Sequence, residues 1–360
     1  KVASPSCGGL TPDKPVPPLC NLPAQKRIEC PILFMVPSND FHGRIHDLPS
    51  SVEALQSKHW RIASMPHRNH SCDPPYRASV TLWFNQFLKN EFQMPETPET
   101  KLDLDTEGGT PVVTVTPDTS RKILSVEVYY TQQPEADYTG RVAAMTKYWQ
   151  HAPAEESDGT WTARLPLFST DRQLWVYADV NYAYDRQVYS FAGREVVSSD
   201  TFNLSSLLRM VGANELKAAG VKATVASDLV IEDFQDDWEK EWFTSRANRL
   251  KTFKLSSPRY QAPPNSQLAL EVQAGKQGRM QLILEREKKS YSYAIGLNEE
   301  SAWQQVVLSP SDFKDTDGES PQDWTNLEIV ISLPSGWEWP ALKMRELKWV
   351  RHQQHAGNQQ

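Results

Sequence analysis

Five consecutive apolar residues, Ile32-Leu33-Phe34-Met35-Val36, stand between Pro31 and Pro37. Unbroken apolarity over so short a run, closed by a proline at each end, predicts a strand buried on both faces rather than a half-exposed one. Pro37 to Gly43 breaks the strand. From Asp47 to Trp60, Leu48, Val52 and Leu55 recur at helical spacing, with Asp47 placed to cap the start. Arg61 to Met65 is a second short strand. Past the loop Pro66 to Ser71, Pro74-Pro75 opens a helix whose apolar face is Val80, Trp83, Phe84, Phe87 and Leu88. This alternation predicts a parallel sheet with helices on its faces over residues 1–95. Within it, residues 1–30 carry one short strand and then a Pro- and Gly-rich irregular stretch.

Residues 96–110, rich in Thr and acidic residues and including Pro98 and Gly108-Gly109, read as a linker. Beyond them the period changes to two. Val113 and Val115, Ser125–Tyr130, Trp161–Leu165 and Leu174–Val180 predict short strands of an immunoglobulin-like sandwich over 111–208. A second, helical linker spans 209–222. Strands at Leu268–Val272, Met280–Leu284, Trp303–Leu308, Leu327–Ile331 and Leu347–Val350 then predict a second all-β domain, a jelly roll, over 223–352. Residues 353–360 are a polar tail. The expected fold is therefore multidomain: an α/β portion followed by two all-β domains.

A net charge of -7 leaves no basic patch for nucleic acid, and no run of 18 apolar residues offers a membrane span. The chain opens at Lys1 inside an expected strand and without a signal peptide, which reads as a fragment of a longer protein. All four cysteines, Cys7, Cys20, Cys30 and Cys72, lie in the first fifth of the chain, at spacings that match neither a zinc site nor a disulfide scaffold.

Asp40 falls just past the end of the first buried strand, where open α/β sheets place ligands. Thirty residues on, after one helix and one strand, His70 sits in a loop over the same sheet edge. A general base must reach a nucleophile with one ring nitrogen and an orienting acid with the other, so the pair is a candidate catalytic acid and base. His67 rivals His70 and otherwise lines a substrate pocket, as does His42. The cluster of His42, His46, His59, His67 and His70 raises a metal site, but Gly43 weakens a helical pair of His42 with His46 and no Glu accompanies them; no metal or other cofactor is expected. No Gly-x-Ser-x-Gly occurs. Ser6 has Gly at +2 but is followed by a proline-rich loop rather than a helix, so it is expected at the edge of the substrate pocket.

At Val2–Gly9, Cys30–Phe34 with Ser38–Gly43, and Pro66–His70, the chain resembles α/β-hydrolases of the dienelactone-hydrolase and acetyl-xylan-esterase-like group. The resemblance implies the carboxy-terminal half of such a sheet, with Asp40 as acid and His70 as base, and with the serine and oxyanion donors upstream of Lys1. The later domains resemble modules appended to secreted esterases, the last similar to galactose-binding-like carbohydrate modules. The function implied by the resemblance is that of a serine ester hydrolase acting on acylated carbohydrate, secreted or periplasmic. The alternatives are a serine peptidase of the same fold, or a carbohydrate- or surface-binding protein without catalysis.

Ten of the twelve tryptophans lie from Trp149 onward, and exposed rings stack on the apolar faces of sugars. Trp337 and Trp339, flanked by Pro334 and Pro340, are the expected exposed pair. Glu232, Asp233, Asp312 and Asp315 are oxygen ligands to consider for calcium.

Overall fold

The computed structural model of the chain describes residues 1–8, 25–133, 145–245, 248–286, 289–299, 302–325 and 327–351. Cys20, most of the proline-rich stretch before it and the expected polar tail lie outside them. The chain is mostly β-structure in several antiparallel sheets, and it divides into two compact units, Lys1–Val225 and Ala226–Gln360.

The first unit begins with strands β1 (Ile32–Met35) and β2 (Trp60–Ala63), paired in parallel with Ile32 opposite Trp60 and Met35 opposite Ala63. On the other side of β1, residues 3–7 also run parallel to it. Leu33 N donates to Ala3 O (3.1 Å), Met35 N to Pro5 O (3.1 Å) and Cys7 N to Met35 O (3.0 Å). With a neighbour on each edge and apolar side chains on both faces, β1 is buried along its whole length, as its unbroken apolarity requires.

The helix expected over 47–60 is only α1 (Leu48–Glu53), preceded by a 3₁₀ turn. Asp47 does not cap it: its carboxylate binds the Arg44 guanidinium at 2.7 Å. Helix α2 (Pro74–Phe84) buries Tyr76, Ala78, Ser79, Leu82 and Trp83. It runs into a π-helical turn over Asn85–Lys89, and this shift in phase leaves Leu88 64% exposed rather than on the apolar face.

The stretch expected as a linker holds β3 (Glu99–Asp103), with Thr100 buried. Arg61 pins its entrance, donating to Pro95 O (2.5 Å) and pairing with Glu96 (2.7 Å). The strands β4 (Val112–Thr116), β5 (Ile123–Thr131), β6 (Gln150–Ala152), β7 (Glu155–Ser157), β8 (Thr160–Arg164), β9 (Leu174–Ala192), β10 (Glu195–Ser205) and β11 (Arg209–Val211) follow. They form two antiparallel sheets, β3-β4-β8-β7 and β10-β9-β5-β6, with β11 added on β9. The second expected linker, 209–222, contains β11 and α3 (Ala213–Ala218). It is tied back into this unit by buried Leu216 and by Lys222 N donating to Gly109 O (2.9 Å).

Strand β9 explains why no boundary falls near residue 100. Leu174, Val176, Ala178 and Val180 pack with Val113, Val115 and Ala163 of the four-stranded sheet. Trp175 and Tyr177, on the opposite face, pack with Ile32, Phe34 and Val36 of β1. Helix α2 lies against β9 and β10. The Leu174–Val180 stretch of β9 is thus buried on both faces, and the parallel strands and the antiparallel sheets form one unit.

The second unit is again two antiparallel sheets. Its strands are β12 (Val230–Glu232), β13 (Phe243–Thr244), β14 (Arg249–Thr252), β15 (Ser266–Ala274), β16 (Gly278–Arg286), β17 (Lys289–Leu297), β18 (Gln304–Leu308), β19 (Glu328–Ser332) and β20 (Leu342–Arg351). They are ordered β12-β20-β15-β18 and β13-β14-β19-β16-β17. Leu347 and Trp349 of β20 are buried in alternation with less buried neighbours, the period-two pattern seen in the sequence, whereas Leu268–Leu270 of β15, Leu282–Leu284 of β16 and Ile329–Ile331 of β19 are buried at every position.

Candidate acid–base site

Three parallel segments deliver their carboxyl ends to one place. Cys7 follows the first, Asp40 follows β1 and His70 follows β2. A sulfur, a carboxylate oxygen and an imidazole nitrogen from these three residues lie within 4.8 Å of one another.

Asp40 has no exposed side-chain surface and is held by four donors. Oδ1 accepts from the backbone N–H of His42 (2.7 Å) and of Gly43 (2.5 Å). Oδ2 accepts from the backbone N–H of His70 at 3.0 Å and faces its ring Nδ1 at 2.5 Å. His70 adopts a left-handed backbone conformation (φ 53°), which turns its N–H and its ring toward the same oxygen. An ionised carboxylate only accepts, so Nδ1 carries the proton and Nε2 is left as the basic nitrogen. The ring is 46% exposed and stacks on Phe41 at 5.0 Å. Gly43 permits this packing: a Cβ there would stand 2.7 Å from the backbone of Cys7 and Gly8.

Burial and the Asp40 carboxylate push the Cys7 thiol up to about 11, with the Ser6 hydroxyl opposing them. At neutral pH it is a protonated thiol and a poor nucleophile. All four acceptor directions of Asp40 are used, so a cation here would have to displace a donor. The geometry is that of a hydrogen-bonded carboxylate beside a base.

The structure brings Asp40 and His70 together and places the exposed His42 ring 5.3 Å from that of His70. Ser6 lies at the rim, its hydroxyl 3.6 Å from the Cys7 sulfur. His67 is not at the surface. It is 2% exposed, lies beside the rings of Tyr129 and Tyr148, and donates its N–H to Ser38 Oγ at 2.9 Å, so it buttresses the loop instead of meeting a substrate. His46 is also buried, and burial with the Arg44 and Lys147 charges holds its imidazole down at about 3. Cys7, Phe41 and Gly43 were not legible as parts of this site. Only their place at the end of a neighbouring strand or beside Asp40 could have drawn attention to them.

In the second unit, Phe234, Trp238, Trp303, Trp339, Met344 and Arg345 line a cleft of about 430 Å³. Arg345 lies over the Trp303 ring at 4.2 Å. Trp337, expected to be exposed beside Trp339, is 6% exposed and packed against Gly278, whereas Trp339 is half-buried at the cleft. The carboxylates considered for calcium are engaged within the chain. Glu232 binds Lys254, Asp233 accepts from Gln235 N, Asp312 accepts from Ser309 N, and Asp315 accepts from the N–H groups of Asp317 and Glu319.

No family model matches the sequence, and no curated protein matches it. Among solved structures, the chain is similar to a family 11 carbohydrate-binding module of the cellulosomal cellulase Lic26A-Cel5E of Clostridium thermocellum. The identity is 8% and the TM-score 0.19, over 72% of this chain and 85% of that one. A superposition at that score does not establish a shared fold. Among the described residues no helix is long and apolar enough to cross a membrane.

Proposed function

We propose that the first unit carries the acid and base of a hydrolase that works through a nucleophilic hydroxyl. The observation that supports this is the 2.5 Å contact between His70 Nδ1 and buried Asp40 Oδ2 beneath a half-exposed ring. As the hydroxyl attacks an acyl carbon, its proton passes to His70 Nε2. Asp40 stabilises the imidazolium, and the proton is returned to the leaving alkoxide. The resemblance to α/β-hydrolases supplies the finer reading: a serine nucleophile contributed by the full-length protein, an ester of acylated carbohydrate as substrate, and a secreted or periplasmic setting. Turnover of small aryl acetates by the full-length protein is expected to be lost in His70→Ala. Full turnover in a folded variant would sink the assignment, and hydrolysis of peptides in place of esters would move the protein to the peptidase reading.

The second reading, carbohydrate binding without catalysis, is favoured by a separate observation, the three tryptophans around the cleft of the second unit. Indole faces suit the apolar faces of pyranose rings. Affinity electrophoresis of the chain in xylan and related glycans is expected to show retardation that Trp303→Ala and Trp339→Ala reduce. Unretarded migration of the folded protein in every glycan would remove this reading.

A further inference from the structure

The four nitrogen donors that hold Asp40 belong to its own loop and to the base it must orient, and the Cys7 thiol faces it from the neighbouring segment, so none of these ties the loop to the sheet. The residue before Asp40 does. Asn39 is 1% exposed, and its side chain reaches across the unit to the segment that leads into β6. Its Nδ2 donates to Lys147 O at 2.8 Å and to Met145 O at 3.3 Å, and its Oδ1 accepts from Trp149 Nε1 at 2.9 Å. Its backbone N–H donates to Arg68 O at 3.0 Å, in the loop that carries His70. Ser38 adds a second tie, donating its N–H to Met65 O at 2.8 Å and accepting from His67 N at 2.9 Å.

The anchor is itself rigid. Trp149 has no exposed surface and packs edge-on to Tyr177 at 5.1 Å. The Lys147 ammonium lies 3.7 Å from the centre of the Trp175 ring. Both aromatic partners are on β9, within the Leu174–Val180 stretch that is buried on both faces. A side chain that uses both its donor hydrogens and its acceptor in a dry setting is expensive to displace, since each unmade bond there costs about 1–3 kcal/mol.

We infer that Asn39, Trp149 and the carbonyls of Met145 and Lys147 form a clamp through which the five-stranded sheet positions Asp40. Asn39 and Trp149 are therefore positioning residues for the acid–base pair. The inference rests on the acid–base reading of Asp40 and His70. It assigns the sheet a role in the site that an appended module would not have.

The test reads the Asp40–His70 contact directly, by the downfield ¹H resonance of the His70 Nδ1–H in the ¹⁵N-labelled chain, assigned by its loss in Asp40→Asn. In Asn39→Ala this proton is expected to move upfield and to exchange with water about tenfold faster or more, the equivalent of one lost buried bond. Trp149→Phe, which keeps an aromatic ring in the layer but not the indole donor, is expected to give a smaller change in the same direction. Tyr76→Phe, which removes a bond elsewhere on the same sheet, is expected to leave the resonance in place. An unaltered resonance in folded Asn39→Ala overturns the clamp. If that variant does not fold, an unaltered resonance in Trp149→Phe does so, and a loss as large in Tyr76→Phe would reduce the effect to general loosening. A wild-type chain without any downfield His70 proton would instead overturn the acid–base reading itself.

Discussion

Replacing Lys254 by alanine is expected to destabilise the second unit by about 3–5 kcal/mol, the cost of stranding a buried charge. The Lys254 side chain is 6% exposed, and its ammonium sits 2.7 Å from both Glu232 Oε2 and Glu241 Oε2. Trp242 Nε1 donates to the same Glu232 oxygen at 2.7 Å. Burial lowers the amine's proton affinity, but the two carboxylates outweigh it and hold the ammonium charged well above its ordinary range. Without that charge, two largely buried carboxylates stand together, and the Trp242 indole N–H reaches only Glu232. A domain of this size has about 5–15 kcal/mol in all, so the loss should be visible as a separate early transition. Urea unfolding followed by tryptophan fluorescence would measure it. A change below about 1 kcal/mol would mean that the triad is solvated and not a buried network. Replacing Lys254, Glu232 and Glu241 together with neutral residues of similar size is expected to recover most of the loss, because the penalty lies in the unpaired charges rather than in the missing attraction.

A second large effect is expected from pH in the first unit. Asp179, on β9, is fully enclosed and accepts from Tyr76 Oη (2.5 Å), Asn203 Nδ2 (2.6 Å) and Ser205 Oγ (2.7 Å). Burial raises its carboxyl from the ordinary 3.8 to about 6, with the three hydrogen bonds opposing the rise. The folded protein thus binds this proton more tightly than the unfolded chain does. Stability from this group is greatest below about pH 4 and declines as pH rises to about 6. The loss amounts to about 3 kcal/mol at 1.36 kcal/mol for each pH unit between the two values. Asp179→Asn abolishes the titration and is expected to remove that slope. Denaturant midpoints for both proteins between pH 4.5 and 7.5 give the comparison. Parallel pH profiles would show that the Asp179 carboxyl is not elevated in the fold.

The parts of the molecule that were legible in the sequence are those encoded over short distances. Ile32–Val36 between two prolines, the period-two strands of both β regions, and the loop positions of Asp40 and His70 all depend on neighbours within one element. What could not be read depends on partners a hundred residues away. Asn39 is unremarkable until Trp149 and Lys147 are beside it. The acidic stretch after Pro95 has the composition of a linker, and only Val113 and Val115 on β4 and the grip of Arg61 make a strand of it. Trp337 and Trp339 have the same flanking prolines; a close approach to Gly278 buries the first, and nothing local distinguishes it. His67 and His70 are separated in the same way, one ring packed beside Tyr129 and Tyr148, the other drawn over Asp40.

The two-sided burial of β9 has a consequence for sequence tolerance. An ordinary half-buried strand can accept polar substitutions at every second position, and a shift of register by one residue exchanges its wet and dry faces. Between Leu174 and Val180 there is no wet face to exchange. A one-residue slip would drive Trp175 and Tyr177 into the space between the sheets, and would set Val176 and Ala178 where the large rings had filled the layer against β1. Each core therefore acts as proofreader of the other's alignment. Substitutions that alter side-chain volume at either odd or even positions of this segment should be comparably damaging, so variation here is confined to coordinated changes in both layers.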